Sequence, residues 1–592
     1  MRQLKSRFIP VIICFFCVCG MYAQNEMSVS DNSDDKRFQV SKQLDIFNAL
    51  VKEMEMSYVD TIDIESTVRR GINSMLRSLD PYTEYIPEED MESLKFITTG
   101  EYGGIGAIIR YREGGTVIIE PYGGMPAAEA GLKAGDVIIA VDAVDTKSMA
   151  SDKVSELLKG VPNTKLKVTV QRFGEKKPLK VDIIRKKVVV EQVPHYGVYG
   201  NNVGYINLQS FTDKSAQEVK AAFEDLKKNQ NIESLIIDLR DNGGGILEGS
   251  VQIVNLFVPK GKEVLTMKGK VSQWNRTYRT YNEPIDTVIP LAVLVNGSSA
   301  SSSEILAGAL QDMDRAVLVG QRSFGKGLVQ STRNLPFDGK LKITTNKYYI
   351  PSGRCIQQLD YSHRNADGSA ASIPDSLTTV FYTQNGRQVR DGGGIKPDFE
   401  LEEEKTPTMI YYLYADNDLI LFDYVTEWVS KHKTIPAAED FEYADEDYEE
   451  FKKYMVEKNF EYDRQSGRVL NSLKEIAGME GFMDEDSTLF TALEEKLKPN
   501  LERDLDRYKK EVKGLITSEI VKRYYYRKGE VQQSLRDDNV LQKAIEVLKD
   551  KKLYDDTLKP SSEKKEEVVS SVITKRQRPL WNDLKYINEI FI

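Results

Sequence analysis

Residues 290–316 read PLAVLVNGSSASSSEILAGALQDMDRA. The first part is a short apolar run ended by Asn-Gly, the pattern of a strand buried on both faces. Five serines then fall within the six residues 298–303, directly ahead of apolar residues at helical spacing. A buried strand that turns through polar residues into a helix is the repeating unit of a layered α/β sheet. The unit recurs upstream: VGYINLQSF (203–211) reads as a strand and SAQEVKAAFEDLKK (215–228) as a helix. ESLIIDLRDNGGG (233–245) follows as a buried strand ending in a turn, and ILEGSVQIVNLF (246–257) as a helix. Downstream stands AVLVGQRSFGKGLVQSTRNL (316–335). This alternation predicts a mainly parallel sheet covered on both faces. In such sheets the loops leaving the C-terminal ends of the strands build the site, and the Asn242–Gly245 turn and the serine run both hold that position.

Working outward, the region before this core has short alternating strands, glycine-rich turns and one helix: EYGGIGAIIRY (101–111), MASDKVSELLKG (149–160), KLKVTVQRF (165–173) and KPLKVDIIRKKV (177–188). These predict a compact, partly open β module. Apolar residues from Phe38 to Leu79 recur at three- and four-residue intervals and predict a small helical domain, closed by the turn SLDPYTEYIPEED (78–90). After Glu402 the chain reads as helical, acidic and rich in tyrosine, ending in a linker-like KPSSEKKEEVVSS (559–571) and a final LWNDLKYINEIFI (580–592). A chain of 592 residues exceeds one core, at roughly 150 residues per domain. The predicted division is 1–23 signal peptide, 24–36 flexible leader, 37–90 helical N-terminal domain, 91–186 β module, 187–401 core and 402–592 helical extension.

The signal reading rests on Arg2, Lys5 and Arg7, an apolar stretch from Phe8 to Val18, and a small residue, Ala23, as the cleavage point. The stretch is short for a membrane span of about 20 residues, and an uncleaved anchor is the second reading. Cys14 and Cys17 lie inside it and Cys19 directly follows it, and neither Cys17 nor Cys19 has the small residue before it that a lipoprotein signal needs. The exported chain keeps Cys355, and one cysteine cannot form a disulfide framework. A net charge of −10 argues against nucleic acid or anionic lipid as a partner.

Which chemistry do these residues support? The three histidines, His195, His363 and His432, form no zinc pattern; His195 or His363 could serve Ser301 as a base, but each lies in a polar segment without a supporting motif and reads as a surface imidazole. The glycine-rich YGGIGA and NGGG lack the lysine ending or fingerprint order of phosphate sites and read as tight turns. Ser301 and Glu304 have the spacing of a capping box. A cap needs one serine, however, and a hydroxyl at a helix N-terminus sits where developing negative charge is favoured. Cap and nucleophile are compatible. Without a credible histidine the base is an amine, and a lysine serves when burial or a positive neighbour lowers its pKa from about 10.4. Lys326, in SFGKGLVQ between two glycines and beside an apolar strand, is the candidate. Gln330 follows four residues later, on the same side if both lie on a strand.

Together these residues resemble the C-terminal processing peptidases, or tail-specific proteases: serine peptidases with a PDZ domain and a Ser–Lys pair. The likeness runs from about residue 38 to 401. SASSSEI (299–305) matches the family block that carries the nucleophile, implying Ser301. FGKGLVQ (324–330) matches the block that carries the base, implying Lys326 with Gln330 as its orienting partner. LDPYTEYI (79–86), GYINLQSF, DLRDNGGG, YYIPSGRCIQ (348–357) and GGGIKPD (392–398) match further blocks in order. The implied fold class is multidomain α+β and α/β: a helical N-terminal segment, a PDZ domain, a crotonase-like peptidase core and a helical C-terminal extension.

The resemblance implies that Gly103, Gly104, Ile105, Gly106 and Ala107 bind a substrate's C-terminal carboxylate while its tail adds as a strand. It also implies oxyanion-hole amides at Gly243, Gly244 and Ser302, and Arg172 as a regulatory residue. No metal or other cofactor is implied. Partners would be polypeptides with exposed C-termini, with an adaptor protein and a homodimer compatible with the sequence, and the location periplasm or cell envelope. The family's usual Asn-Pro-Gly-Gly is here Asn-Gly-Gly-Gly, and the segments 359–390 and 402–592 fall outside the shared core. Two rival readings are a non-catalytic tail-binding scaffold and an acyl-CoA enzyme on a related sheet.

Overall fold

The structure is a computed structural model and describes residues 35–365, 367–402, 406–415 and 419–560. The signal peptide, most of the leader and the final segment lie outside the described residues. Helix α1 covers 35–57, so the leader gives way to helix at residue 35. Helix α2 follows at Ile64–Arg77, capped by the Asp63 side chain on the Ser66 amide. The apolar residues of α1 do not build a local core: Phe38, Leu44, Phe47 and Leu50 are each about half exposed or more. The 78–90 turn then leads into strand β1 (Glu84–Ile86).

The β module has strands β2 (Glu101–Gly104), β3 (Ala107–Arg112), β4 (Gly115–Pro121), β5 (Val137–Val141), β6 (Lys165–Gln171), β7 (Leu179–Ile184) and β8 (Lys186–Val189). An antiparallel sheet runs β3-β4-β5-β6-β7, and β2 pairs separately with β8. Strand β3 is an edge, and helix α3 (Ser151–Leu158) packs beside it. Alternation decides the burial: Leu166, Val168 and Val170 of β6 are buried while Lys165 and Lys167 point to water.

The core sheet runs β9 (His195–Tyr199), β10 (Val203–Asn207), β11 (Ser234–Asp238), β12 (Leu291–Val295), β13 (Val317–Gly320) and a late strand, Phe399–Glu400. It is parallel except for the edge pair β9–β10. Strands β11 and β12 are buried at every position, as their unbroken apolar runs require. Helices 215–229, α4 (Leu247–Phe257) and α5 (Ser302–Asp312) cover one face through a cluster containing Phe223, Val254, Ile305 and Leu306. The other face is covered from the far end of the chain: Val531, Leu541, Ala544 and Leu548 pack on Val203, Tyr205, Ile236, Leu294 and Val319.

A second, antiparallel sheet brings β14 (Leu328–Asn334) onto β15 (Lys340–Tyr349), with β1 on the same partner. The segment 359–390, whose role the sequence left open, forms two hairpins, 359–364 with 370–372 and 380–382 with 388–390. The extension continues in helices, among them α6 (Ile420–Lys431), α7 (Lys509–Ser534) and α8 (Asn539–Lys549), with its own core around Trp428, Tyr448, Phe451 and Ile516. It also holds the β module: Val117 packs on Leu419 and Phe422, and Arg112 Nη1 donates to both Asp423 carboxylate oxygens at 2.8 and 2.9 Å.

Candidate active site

The turn after β11 and the serine run after β12 are sewn together, and the hydroxyls do the sewing. Ser299 Oγ donates to Leu239 O (2.8 Å), Ser302 Oγ to Gly245 O (3.0 Å) and Ser303 Oγ to Asn242 O (2.8 Å), while the Ala300 amide reaches Asn242 O (3.1 Å). Three of the five serines therefore serve packing, and Ser302 and Ser303 are buried. Ser301 differs. It is partly exposed and sits at φ 55°, ψ −113°, off the extended geometry of an ordinary N-cap. A non-glycine residue there carries about 1–3 kcal/mol of backbone strain, sustained by the packing around it.

Glu304 holds the corner. It makes one half of the predicted capping box, accepting the Ser301 amide at Oε2 (2.9 Å). The same oxygen accepts the Lys326 amide (2.9 Å), and Oε1 accepts the Ser323 hydroxyl (2.5 Å) and the Gly325 amide (2.7 Å). The carboxyl is fully buried, and burial pushes it up to about 7 against the pull of these donors. Its role exceeds capping: it fixes the loops of both candidate residues. The Tyr348 hydroxyl adds a second tie, donating to Lys326 O (2.8 Å) and lying 3.3 Å from Ser301 O.

Glycines admit the backbone approach on the lysine side. A Cβ on Gly327 would lie 2.8 Å from Gln357 N, and Gly325 sits at φ +87°. Burial, then the nearby Lys342 ammonium, lowers the Lys326 amine to about 8, with Glu304, Asp80 and Glu84 opposing. Among the described residues no hydrogen bond joins Lys326 Nζ to Ser301 Oγ; Nζ lies over the Tyr82 ring, 4.2 Å from its centroid.

Gln330 is placed otherwise than the spacing predicted. Lys326 precedes β14, and a bulge at Val329/Gln330 breaks the alternation, so the same-side argument lapses. Gln330 Nε2 donates to Thr344 Oγ1 (3.1 Å), and the Thr344 amide donates to Thr83 Oγ1 (3.2 Å). The predicted oxyanion amides divide too. The Gly244 N–H is spent on Asn242 Oδ1 (2.9 Å), whereas the Gly243 and Ser302 amides have no protein acceptor among the described residues. Gly244 is a steric requirement instead: at φ +104°, a Cβ there would meet Ala300 O at 2.8 Å and Ser301 Cβ at 2.9 Å.

The predicted tail-binding loop spans β2 to β3. Gly103 and Gly104 pair with Lys187 and Lys186, and Ile105 is buried with its carbonyl on the Ala127 amide (2.8 Å). Gly106 turns at φ +73°, leaving Ala107 to open the free edge β3. Burial raises the Tyr102 phenol to about 12, against the Gly106 and Ala107 amides next to it. Arg172 lies within the module: its guanidinium grips Asp136 through two 2.7 Å bonds and donates to Gly131 O (2.7 Å). Two sequence readings of histidine change. His195 is buried, not at the surface, because β9 turns it against Tyr199 Oη (2.8 Å), and burial lowers it to about 4. His363 is exposed and paired with Asp360 at 2.7 Å.

The profile of Peptidase family S41 matches residues 202–362, that of a PDZ domain residues 117–172, and that of "Probable PDZ-protease, C-terminal helical domain" residues 409–548. A carboxy-terminal-processing protease of Bartonella bacilliformis is 34% identical over 350 residues, covering 58% of this chain and 79% of its own.

The chain belongs to peptidase family S41.

Within the family, a carboxyl-terminal-processing protease of Synechocystis is 36% identical over 295 residues, 49% of this chain and 68% of that protein. A solved photosystem II D1 C-terminal processing protease is 28% identical, with a TM-score of 0.33, over 60% of this chain and 87% of the other. S41 membership makes the core a protease core, the match over residues 117–172 makes the β module a PDZ domain, and the helical tail matches the C-terminal helical domain of probable PDZ-proteases. What sequence reasoning missed are the residues around the pair. Glu304 was read as a cap and Tyr82 as part of an unassigned turn; the signals were an acidic residue inside an otherwise apolar helix face, and an aromatic next to Asp-Pro.

Proposed function

We propose that the protein is a serine endopeptidase of the cell envelope that captures polypeptide C-termini on its PDZ domain and cleaves them with a Ser301–Lys326 pair. The observation that supports this most is the common anchor: the Ser301 and Lys326 amides are each 2.9 Å from Glu304 Oε2, hence at most about 6 Å apart. From there the flexible four-carbon stem of Lys326 swings off the Tyr82 ring to reach the Ser301 hydroxyl.

The steps follow from the groups present. Neutral Lys326 Nζ takes the Ser301 proton as Oγ bonds to the peptide carbonyl carbon. The carbonyl oxygen becomes an oxyanion beside the Gly243 and Ser302 amides, at the positive end of α5. Collapse breaks the C–N bond, and the lysine ammonium gives its proton to the leaving amine. Water, deprotonated by the same lysine, attacks the acyl-enzyme; collapse breaks the bond to Ser301 Oγ, which takes the proton back from the lysine ammonium, and the new C-terminal acid leaves.

On this reading residues 1–23 export the chain, and Gly106 and Ala107 offer amides to the substrate's carboxylate as its tail lengthens the sheet along β3. The apolar residues exposed on α1 support a homodimer. Labelling with a fluorophosphonate, together with cleavage of an unfolded protein with an apolar C-terminus, tests the proposal. Ser301→Ala and Lys326→Ala should each abolish labelling and cleavage, and blocking the substrate's C-terminal carboxyl should slow cleavage by wild type. A Lys326→Ala variant with near-full activity at neutral pH would overturn the Ser–Lys mechanism. Full activity and labelling of Ser301→Ala would overturn the serine assignment.

A further inference from the structure

Two segments without an assigned task, the LDPYTEYI turn and the 359–390 hairpins, meet beside Lys326. Between them is a cavity of about 340 Å³ lined by the apolar side chains of Tyr82, Phe324, Leu359 and Tyr361, by Gly297 of the serine loop and Gly325, and by the polar residues Arg322, Ser323, Gln357 and Gln358. The wall is built to hold its shape. Asp80 Oδ1 accepts the Tyr82 and Thr83 amides (2.8 Å each), and Oδ2 accepts the Thr83 hydroxyl (3.0 Å). Tyr361 stands edge-on to Tyr82, with ring centroids 6.3 Å apart. Arg364 Nη2 donates to Ser78 O (2.8 Å) and Leu79 O (3.2 Å), tying the hairpin to the turn. One ring is common to both features: Tyr82 lines the cavity and lies under Lys326 Nζ.

We propose that this cavity is the subsite for an apolar side chain of the substrate residue that supplies the leaving amine, and that Tyr82 is the positioning residue linking its occupation to Lys326. The assignment to the leaving side follows from chemistry. The base that gives its proton to the leaving amine stands beside that amine. The cavity adjoins the lysine loop, and no residue of the 242–245 turn lines it. Three aromatic rings and a leucine facing one cavity select an aliphatic or aromatic side chain, with the polar Arg322, Ser323, Gln357 and Gln358 completing the lining. Lys326 does not itself line the cavity, so occupation acts on it through Tyr82: seating such a side chain displaces water from the ring that lies under Nζ and lowers the polarity beside the amine, which favours its neutral form. The charged and titratable groups around Nζ are Lys342, which acts with burial, and Glu304, Asp80 and Glu84, which act against it. Tyr82 itself stays a neutral phenol, because burial and the adjacent Tyr361 raise it. Occupation should therefore raise kcat more than it lowers KM, since it acts on the base and not on binding alone.

This subsite rests on the proposed roles of Ser301 and Lys326, and the test separates the two. Full-length protein is given peptides with one cleavage site that differ in the residue after the scissile bond: leucine, phenylalanine, glycine or glutamate. Products are mapped by mass, with kcat and KM measured across pH. The expected result is at least a tenfold preference for leucine or phenylalanine over glycine, carried mainly by kcat, with the acid limb at lower pH for the apolar peptides. Tyr82→Phe should keep this preference, and Tyr82→Ala should erase it and return the limb to the glycine position. Leu359→Trp, which fills the cavity, should lower the leucine-to-glycine ratio more than tenfold, and serves if Tyr82→Ala fails to fold. Equal rates for all four peptides, or a preference confined to the residue before the bond, would overturn the subsite while Lys326→Ala remained inactive. An active Lys326→Ala would overturn the mechanism beneath it.

Discussion

The backbone amides of Ser301 and Lys326 share one acceptor, Glu304 Oε2, each at 2.9 Å. One side chain thus sets the spacing of two loops that come from different strands. Glu304→Gln would turn one acceptor oxygen into a donor facing donors already in place. We expect a loss of at least a hundredfold in kcat/KM, in line with the misplacement of a catalytic pair. Glu304→Ala would leave three amides and a hydroxyl without their carboxylate and cost about 3–5 kcal/mol. Peptide cleavage and thermal unfolding check the two effects separately.

The pH dependence has a definite sign. On the proposed mechanism Lys326 must be neutral to act, and Glu304 accepts its donors best when ionised; they lose their protons at about 8 and about 7. Activity should rise with pH through that window. Stability behaves differently for the lysine. Its folded value lies below the usual 10.5, so the burial cost is fully present below about pH 8 and fades as pH rises toward 10.5. Lys326→Met should be inactive yet more stable than wild type at pH 7 by on the order of 2 kcal/mol, a difference that shrinks at pH 10. Calorimetry at the two pH values measures it.

Gly244→Ala should inactivate the protein through shape alone. Its Cβ would press on Ala300 O and Ser301 Cβ from a backbone at φ +104°. The turn must shift, and Ser301 with it. Loss of fluorophosphonate labelling, with a destabilisation of about 2–4 kcal/mol, is the expected outcome. Gly243→Ala, where open space surrounds the added methyl, should be far milder in stability.

Arg172→Ala would leave Asp136, 1% exposed, without its cation inside the PDZ domain. A cost of about 3 kcal/mol follows from an uncompensated buried carboxylate, and Arg172→Lys should restore part of it. Limited proteolysis should report a loosened PDZ, while cleavage of a short peptide by the intact core changes little. A variant with wild-type stability but altered resting activity would instead support the regulatory role that the family resemblance implies.

Much of this was legible in the sequence because local rules and tertiary context agree there. Strands β11 and β12 read as buried from unbroken apolar runs, and the serine run read as a strand-to-helix turn because few other structures accept that composition. The proposed pair draws on a serine ahead of a helix and a lysine between glycines, both visible in the sequence. What stayed hidden depends on contacts distant in the chain. That Glu304 holds the lysine loop, that Tyr82 lies under the amine, and that Gln330 faces Thr344 are products of packing and of a bulge. His195 was misjudged because a polar neighbourhood in sequence became a buried strand position in space. The covering of the second sheet face was likewise unreadable: its helices come hundreds of residues after the strands they protect.

That late covering sets an order of events during synthesis. Strands β10 to β13 are complete by residue 320, yet one whole apolar surface stays bare until residues 531–548 emerge. Chains are made from the N-terminus at about 5–20 residues per second, so a nascent chain passes many seconds with that face of the sheet uncovered. Completion of the sheet on both faces is therefore a late event in the making of the chain.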